Sequence, residues 1–439
     1  MAREMKDSGI EWIGEIPTDW KLSRLKNIKD KCKYAIVDGP FGTAISTDDY
    51  VEEGVPLVRI LNLGNPNISN RNLVYITDEH AEKVQRSRFG IGDVVFAKTG
   101  ATIGKCAIND SIEYGILSSS CVKITISPEY YNKYFYYFFL TKQFNDALRM
   151  ACVGTTRDTI NLTPFACLPC VVPSFDEQHR IADFLDRKCA EIDSVIADTQ
   201  RTIEEYKKLK QSVITQAVTK GIRGERPMKD SEIEWVGQIP SEWDVVRIKT
   251  LFDYRNERNN KPLEEVNLIS LYTDKGVVQH CDLEETTGNK ASNADGYKLV
   301  YQDDIVVNII LCWMGAIGRS SYSGVTSPAY DVYSPKPKTN SEFYHYYFRT
   351  SGFSGDCYKY GRGIMAMRWR TYSDEFRALQ VVCPSVEEQD EIVAYLDAKC
   401  KAIEKLIAAK QRLLNELESY RKSVIYEYVT GKKEVPACQ

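Results

Sequence analysis

Several stretches of this chain carry residue types that do chemistry elsewhere, and each can be held against the spacing that chemistry needs. In "TGATIGKC", Thr99 to Cys106, the glycines, threonine and lysine have the outline of a phosphate loop. Such a loop needs four residues between its glycines and a Ser or Thr after its lysine, so that backbone amides wrap the phosphates and the hydroxyl meets magnesium. Here three residues separate Gly100 from Gly104, and Cys106 follows Lys105. "SPAY", Ser327 to Tyr330, has the outline of an amino-methyltransferase tetrapeptide without its second proline. "DRK" (Asp186 to Lys188) and "DAK" (Asp397 to Lys399) match part of a nuclease motif but fall in helical patterns, where a strand-based metal site cannot form. Cys167 and Cys170 form one CxxC with only His179 close by, short of the four ligands of a zinc site. The four histidines are not spaced for a triad or a metal, and no glycine-rich turn has an acidic residue at dinucleotide-binding distance. The expectation is a chain with no catalytic residues, no metal and no cofactor of its own.

The elements around these stretches say more. A length of 439 residues suggests two or three domains at roughly 150 residues each. Hydrophobic content of 43% and charged content of 27% are those of a globular protein. No apolar run reaches the roughly 18 residues of a membrane helix, and the polar start "MAREMKDSG" has no signal-peptide core, so the expected location is the cytoplasm. The 13 cysteines are scattered in apolar strings, as reduced core cysteines are. Net charge is −4, yet Lys83 to Lys105 holds five Lys/Arg against Asp93, and Arg247 to Lys261 holds five against Asp253 and Glu257. Basic surfaces can therefore exist on a chain that is acidic overall.

The chain repeats itself. "MKDSGIEWIGEIPTDW" at Met5 to Trp20 returns as "MKDSEIEWVGQIPSEW" at Met228 to Trp243, with 11 of 16 positions identical and an offset of 223. "VPSFDEQHRIADFLDRKCAEIDSVI" from Val172 returns as "CPSVEEQDEIVAYLDAKCKAIEKLI" from Cys383 at an offset of 211. Each half thus runs entry phrase, variable region, long helix, with a seam at "GIRGERPMKDS" where Gly221, Gly224 and Pro227 break the first helix. The expected boundaries are a first domain over 1–172, a helix over 173–222, a second domain over 223–383 and a second helix over 384–433.

Ser174 with Glu177, and Ser385 with Glu388, have the spacing of a capping box. A seven-residue register follows. It places Leu185, Ile192, Thr199, Tyr206 and Val213 with Cys189, Ile196, Ile203, Lys210 and Ala217 on one seam. Leu396, Ile403, Lys410, Leu417 and Val424 with Cys400, Ile407, Leu414, Arg421 and Tyr428 form the other. Eight of ten positions in each seam are apolar or semi-apolar, and the polar exceptions match between the two. This pattern predicts an antiparallel coiled coil, a rod roughly 60 Å long, holding the two variable regions apart. Two separate amphipathic helices over separate cores are the plainer alternative.

Both variable regions mix strand-like runs ("GDVVFAKTG", "CVKITI", "DDIVVNIIL", "LQVVCPS") with an aromatic helical stretch ("YYNKYFYYFFLTKQF", "SEFYHYYFRTSGF"), whose rings are expected to pack inside. "GDVVFAKTGATIGK" aligns loosely with "DDIVVNIILCWMGAIG", and "VGTTRDTINLTPF" with "IMAMRWRTYSDEF". The fold class expected is α+β, two mixed α/β domains and two long helices with internal two-fold pseudosymmetry.

This layout resembles the specificity subunit of type I restriction–modification enzymes. The features that carry it are "IEWIGEIPTDW" and "IEWVGQIPSEW", "DGPFGT" at Asp38 to Thr43, "GDVVFAKTGATIGK", and "PSFDEQ" and "PSVEEQ" at the helix starts. The resemblance implies two target recognition domains, each reading half of a bipartite sequence on double-stranded DNA, with the helices setting the spacer. It implies two methyltransferase subunits carrying S-adenosylmethionine and methylating adenine, and two motor–nuclease subunits using ATP and Mg. This chain would bind none of those cofactors, and no membrane.

Phosphates are met by Lys, Arg and backbone amides, and base edges by Arg, Lys, Asn and Gln. On that chemistry the DNA-binding candidates in the first domain are Arg59, Lys98, Thr99, Lys105, Thr155, Thr156, Arg157 and Asp158. In the second they are Arg255, Arg258, Asn259, Arg362, Arg368 and Trp369. The second domain departs from the "TGxxxGK" pattern, because Ile310 and Leu311 stand where Thr99 and Gly100 align. Surface charge with no base contact is the plainer reading of many of these residues. An interaction scaffold with two ligand-binding domains and no DNA role is the competing function.

Overall fold

The computed structural model describes residues 3–41, 44–153, 158–280, 293–363 and 369–436. The first half opens on a hairpin, β1 (Met5–Asp7) with β2 (Glu15–Pro17), followed by β3 (Lys21–Arg24). Its central sheet uses β4 (Ile36–Asp38), β5 (Val94–Ala97), β6 (Cys106–Ile108) and β7 (Cys121–Ile124). Then come α1 (Asn132–Phe139), β8 (Pro169–Val172) and the long helix α2 (Phe175–Lys220).

The second half repeats this plan. Its hairpin is β9 (Met228–Asp230) with β10 (Gln238–Pro240), and β11 (Asp244–Arg247) follows. β12 (Phe252–Arg255), β13 (Ile305–Asn308), β14 (Ile317–Arg319) and β15 (Tyr330–Pro335) form the sheet. α3 (Ser341–Phe348), β16 (Gln380–Cys383) and α4 (Val386–Val429) complete it. Both central sheets are antiparallel with matching orders, β4-β7-β5-β6 and β12-β15-β13-β14. β3 pairs with β8, and β11 with β16, so each variable region is closed by a two-stranded ribbon just before its long helix.

The chain divides into two compact units, one of Met1–Gln200 with Arg412–Gln439, the other of Arg201–Gln411. Each unit therefore holds one variable region, the first part of the long helix that follows it and the last part of the other long helix. In the first unit, Ile181, Ala182, Leu185 and Cys189 of α2 share a core with Val424, Ile425 and Val429 of α4. The Phe184 and Tyr428 rings lie 4.5 Å apart, and Arg421 meets Asp193 at 2.8 Å. Rising numbers on α2 meet falling numbers on α4, so the helices run antiparallel. In the second unit, Ala217 and Val218 pack with Ile392 and Leu396, and Lys210 pairs with Glu404. The twenty seam positions of the heptad register are all buried or half-buried. Three of its polar members have partners. Lys210 and Arg421 make the ion pairs just named, and Thr199 donates to the Val195 carbonyl at 2.7 Å.

The aromatic stretches go inside, as their periodicity predicts. Tyr134 to Phe139 are all buried on α1, and Phe343, Tyr344, Tyr347 and Phe348 on α3. Buried hydroxyls need acceptors. Tyr134 donates to the Val171 carbonyl and Tyr344 to that of Val382, each at 3.1 Å. The aspartates of "DRK" and "DAK" prove to be ties between helices. Asp186 accepts from Tyr137 and Asp397 from Tyr346, each at 2.6 Å.

Candidate nucleic-acid interface

The entry phrase meets the long helix of its own half through one repeated constellation. Trp20 Nε1 donates to Glu177 Oε2 at 2.8 Å, and Trp243 Nε1 to Glu388 Oε2 at 2.9 Å. Arg3 donates to Glu177 at 2.6 Å and to Asp19 at 3.0 Å, with its guanidinium 5.1 Å from the Trp20 ring centre. Arg226 does the same with Glu388 at 2.6 Å, Glu242 at 2.8 Å and the Trp243 ring at 5.5 Å. The capping boxes are thereby altered. Ser174 and Ser385 accept from the amides of Glu177 and Glu388 at 3.4 and 3.3 Å, while both carboxylates turn to the tryptophan and arginine. Gln178 and Gln389 add a second tie, each accepting from a backbone amide at 2.8 Å, from Tyr131 and Asn340 respectively. Sequence reading found the repeated tryptophans but not Arg3 or Arg226. The signal available was an arginine 17 residues before the second tryptophan of each phrase.

At one end of each central sheet two loops come together. In the first unit, the loop after β5 spans 98–105. Its ends are joined by Ala97 N donating to Lys105 O at 2.8 Å. Gly104, at φ +88°, makes the return turn, and an added Cβ there would meet the Asn145 side chain at 1.7 Å. Beside it Val153 pairs with Thr159, and the two segments are stitched by Gly100 N to Asp158 O and Ile160 N to Lys98 O, both 3.0 Å. The second unit has the same frame. Asn308 N donates to Ala316 O at 3.1 Å, Gly315 sits at φ +89°, Arg362 pairs with Arg370, and Thr371 N donates to Ile309 O at 2.9 Å.

Against this frame the DNA-binding candidates separate by what holds them. Lys98 is buried, with Nζ 2.5 Å from Asp38 Oδ2 and 5.3 Å from the Phe41 ring centre. Arg86 meets the other oxygen of Asp38 at 3.2 Å. Thr99 lies beside Thr159 and precedes the short 3-10 turn Gly100–Thr102. Lys105 and Asp158 are exposed at the two loops. Arg59 stands elsewhere, donating to the Asn72 carbonyl at 2.7 Å and lying over Tyr50. Thr155, Thr156, Arg157 and Arg368 lie outside the described residues.

In the second unit, Arg362 and Trp369 flank the loop after β13. Arg362 reaches Glu375 at 2.9 Å, and Trp369 donates to the Tyr358 carbonyl at 2.9 Å while stacking on that ring. Arg255, Arg258 and Asn259 belong to the segment leaving β12. Arg255 forks onto Asp304 at 2.9 and 3.2 Å and also holds Glu257 at 2.6 Å. Burial pushes the Asp304 carboxyl up even with Arg255 beside it. Asn259 is buried and spends its amide on the carbonyls of Lys261 and Ala294. Arg258 is exposed and donates to the Gly296 carbonyl at 3.0 Å.

Among the described residues, no group of three or more His, Cys, Asp or Glu could hold a metal ion, and no helix is long and apolar enough to cross a membrane. His345 is half-buried with Nδ1 accepting from the Arg319 amide at 3.1 Å, and desolvation together with Arg349 and Arg319 pushes its pKa down to about 3. His179 stacks on Tyr131 at 3.6 Å.

A duplicated scaffold with two unlike loop faces on matching sheets defines a paired recognition protein. The chain belongs to the type I restriction modification DNA specificity domain family, whose model matches residues 17–205 and again 240–419. It is a specificity subunit with two such domains and a non-catalytic component of its system. It is 27% identical, over 96% of each chain, to the putative type I restriction enzyme MjaX specificity subunit of Methanocaldococcus jannaschii. It is 24% identical to the EcoBI specificity subunit of Escherichia coli over 46% of this chain and 42% of that one. Its fold matches a chain from a study of type I R-M complex assembly and conformational transition with a TM-score of 0.72, at 14% identity and covering 95% of this chain and 99% of that one. The HsdS subunit from Thermoanaerobacter tengcongensis matches with a TM-score of 0.53, at 16% identity and covering 97% and 100%.

Proposed function

We propose that this subunit reads a bipartite target on double-stranded DNA, one half-site per recognition domain, with the helix pair setting the spacer. Its partners are two adenine-methyltransferase subunits, which supply S-adenosylmethionine, and two motor–nuclease subunits, which use ATP and Mg. The observation that carries this reading is the contrast between repeated and unrepeated parts. The Trp–Glu–Arg constellation recurs in both halves with nearly equal distances, as identical seats for identical partners require. The loops on the matching sheets differ in chemistry, as readers of unlike half-sites require. Exposed Lys105 and Arg258 suit the phosphate backbone, whose contacts position a protein without carrying sequence.

The test is to remove one heptad from each long helix and map methylated adenines by sequencing. Seven residues of helix are about 10.5 Å, or roughly three base pairs of axial rise. The expected product is methylation at the same two half-sites with a spacer about three base pairs shorter. Unchanged spacing would sink the ruler, and methylation lacking any bipartite motif would sink the reading as a whole.

A further inference from the structure

The loop after β13 has the frame of the loop after β5 and opposite chemistry. Both have seven residues between equivalent strand-closing bonds, 98–104 and 309–315, and both return through a glycine near φ +88°. In the first unit this loop reads Lys-Thr-Gly-Ala-Thr-Ile-Gly; in the second it reads Ile-Ile-Leu-Cys-Trp-Met-Gly. Apolar side chains there should retreat into the core, and two do not. Leu311 is 37% and Met314 53% exposed, although Ile103, the counterpart of Met314, is buried.

The loop is also held in place. Asn308 Oδ1 accepts from the amides of Ile310 and Leu311 at 3.0 and 3.3 Å. Arg349, mostly buried, donates to the carbonyls of Gly315, Ile317, Thr273 and Asp274 at 2.9–3.3 Å. Trp313 donates to the Ile310 carbonyl at 2.9 Å and packs 5.5 Å from Tyr358. A rigid, exposed apolar tip, flanked by exposed Arg362 and Arg370, has a charge and shape suited to a polyanion with apolar groups on its edge. In the major groove that group is the C5 methyl of thymine, which is read by apolar contact.

We propose that Leu311 and Met314 read thymine methyl groups in the half-site taken by the second recognition domain. This rests on the DNA-reading function proposed above. The first domain exposes Ala101, Thr102 and Lys105 at its equivalent loop, none with the aliphatic reach of Leu311 or Met314.

The experiment uses the full chain in complex with its methyltransferase subunits and duplexes in which deoxyuridine replaces thymine in one half-site at a time. Uracil keeps every hydrogen-bonding group of thymine and loses only the methyl. The expected result is a dissociation constant raised roughly fourfold per methyl removed in one half-site, and unchanged in the other. The Leu311→Ala, Met314→Ala double variant should bind thymine and uracil duplexes equally while keeping its dependence on the other half-site. The single Met314→Ala change, at the more exposed position, should halve the discrimination on a logarithmic scale. Uracil tolerated in both half-sites, or discrimination that survives undiminished in the double variant, overturns the proposal. A complex that binds no bipartite duplex overturns the proposed function instead, and this inference with it.

Discussion

The indole of Trp20 donates to the carboxylate of Glu177, 157 residues away, at 2.8 Å, and Trp243 does the same to Glu388 at 2.9 Å. Both tryptophans are buried, and each bond joins the entry phrase to the first turn of the helix that ends its half. A hydrogen bond to a buried charge contributes about 1.5–3 kcal/mol. Trp243→Phe should lower unfolding free energy by about 2 kcal/mol in denaturant titrations. Trp20→Phe should cost somewhat less, because the Glu177 side chain is 10% exposed against 2% for Glu388. Equal and negligible losses would show that the phrase is held by packing alone.

Arg421 and Asp193, and likewise Lys210 and Glu404, put one ion pair of the same polarity at equivalent helix positions of each unit. Arg421 is the better shielded, 16% exposed against 31% for Lys210. Exposed pairs are worth about 0–1 kcal/mol, so Lys210→Met should move thermal unfolding very little. Arg421→Asp should destabilise by about 2 kcal/mol through like charges and lost packing, and adding Asp193→Arg should recover most of it. Failure of that swap would place the role of Arg421 with Asn65, whose Oδ1 accepts from its guanidinium at 3.5 Å.

Lys98 and Lys105 have the same DNA-contacting chemistry in sequence, and the structure gives them different surroundings. Lys98→Met leaves Asp38 buried with only Arg86, and should cost about 3 kcal/mol of stability. Lys105→Ala should leave the unfolding midpoint unchanged. It should lower the slope of log affinity against log salt by about one if Lys105 meets a phosphate. Equal stability in both variants would contradict the buried pair.

His345 makes the second unit sensitive to acid. Its folded pKa, about 3, lies below the ordinary histidine value because burial, Arg349, Arg319 and Lys210 all disfavour the charged ring. The unfolded chain therefore takes up the proton first, and stability falls as pH drops below about 6.5. At pH 5 the loss relative to pH 8 should be about 2 kcal/mol. His345→Gln should flatten that part of the pH profile while lowering stability at pH 8. A wild-type profile flat from pH 8 to pH 5 would show that His345 is solvated.

The sequence by itself determined the duplication, the antiparallel helix pairing with its matched polar positions and the buried aromatic stretches. These are readable because helices and repeats write their partners into spacing: a heptad face or a returning phrase is visible without coordinates. Tertiary structure alone decided which basic residues are already engaged. Lys98 finds Asp38 across 60 residues and Arg255 finds Asp304 across 49, and no local pattern marks such pairs. It also decided that the apolar run at Ile309 to Met314 leaves a strand as a loop, with Leu311 and Met314 in solvent. As sequence, that run reads like more core. The chain turns there as Asn308 accepts from the amides of Ile310 and Leu311, and Arg349 holds the return at the carbonyls of Gly315 and Ile317.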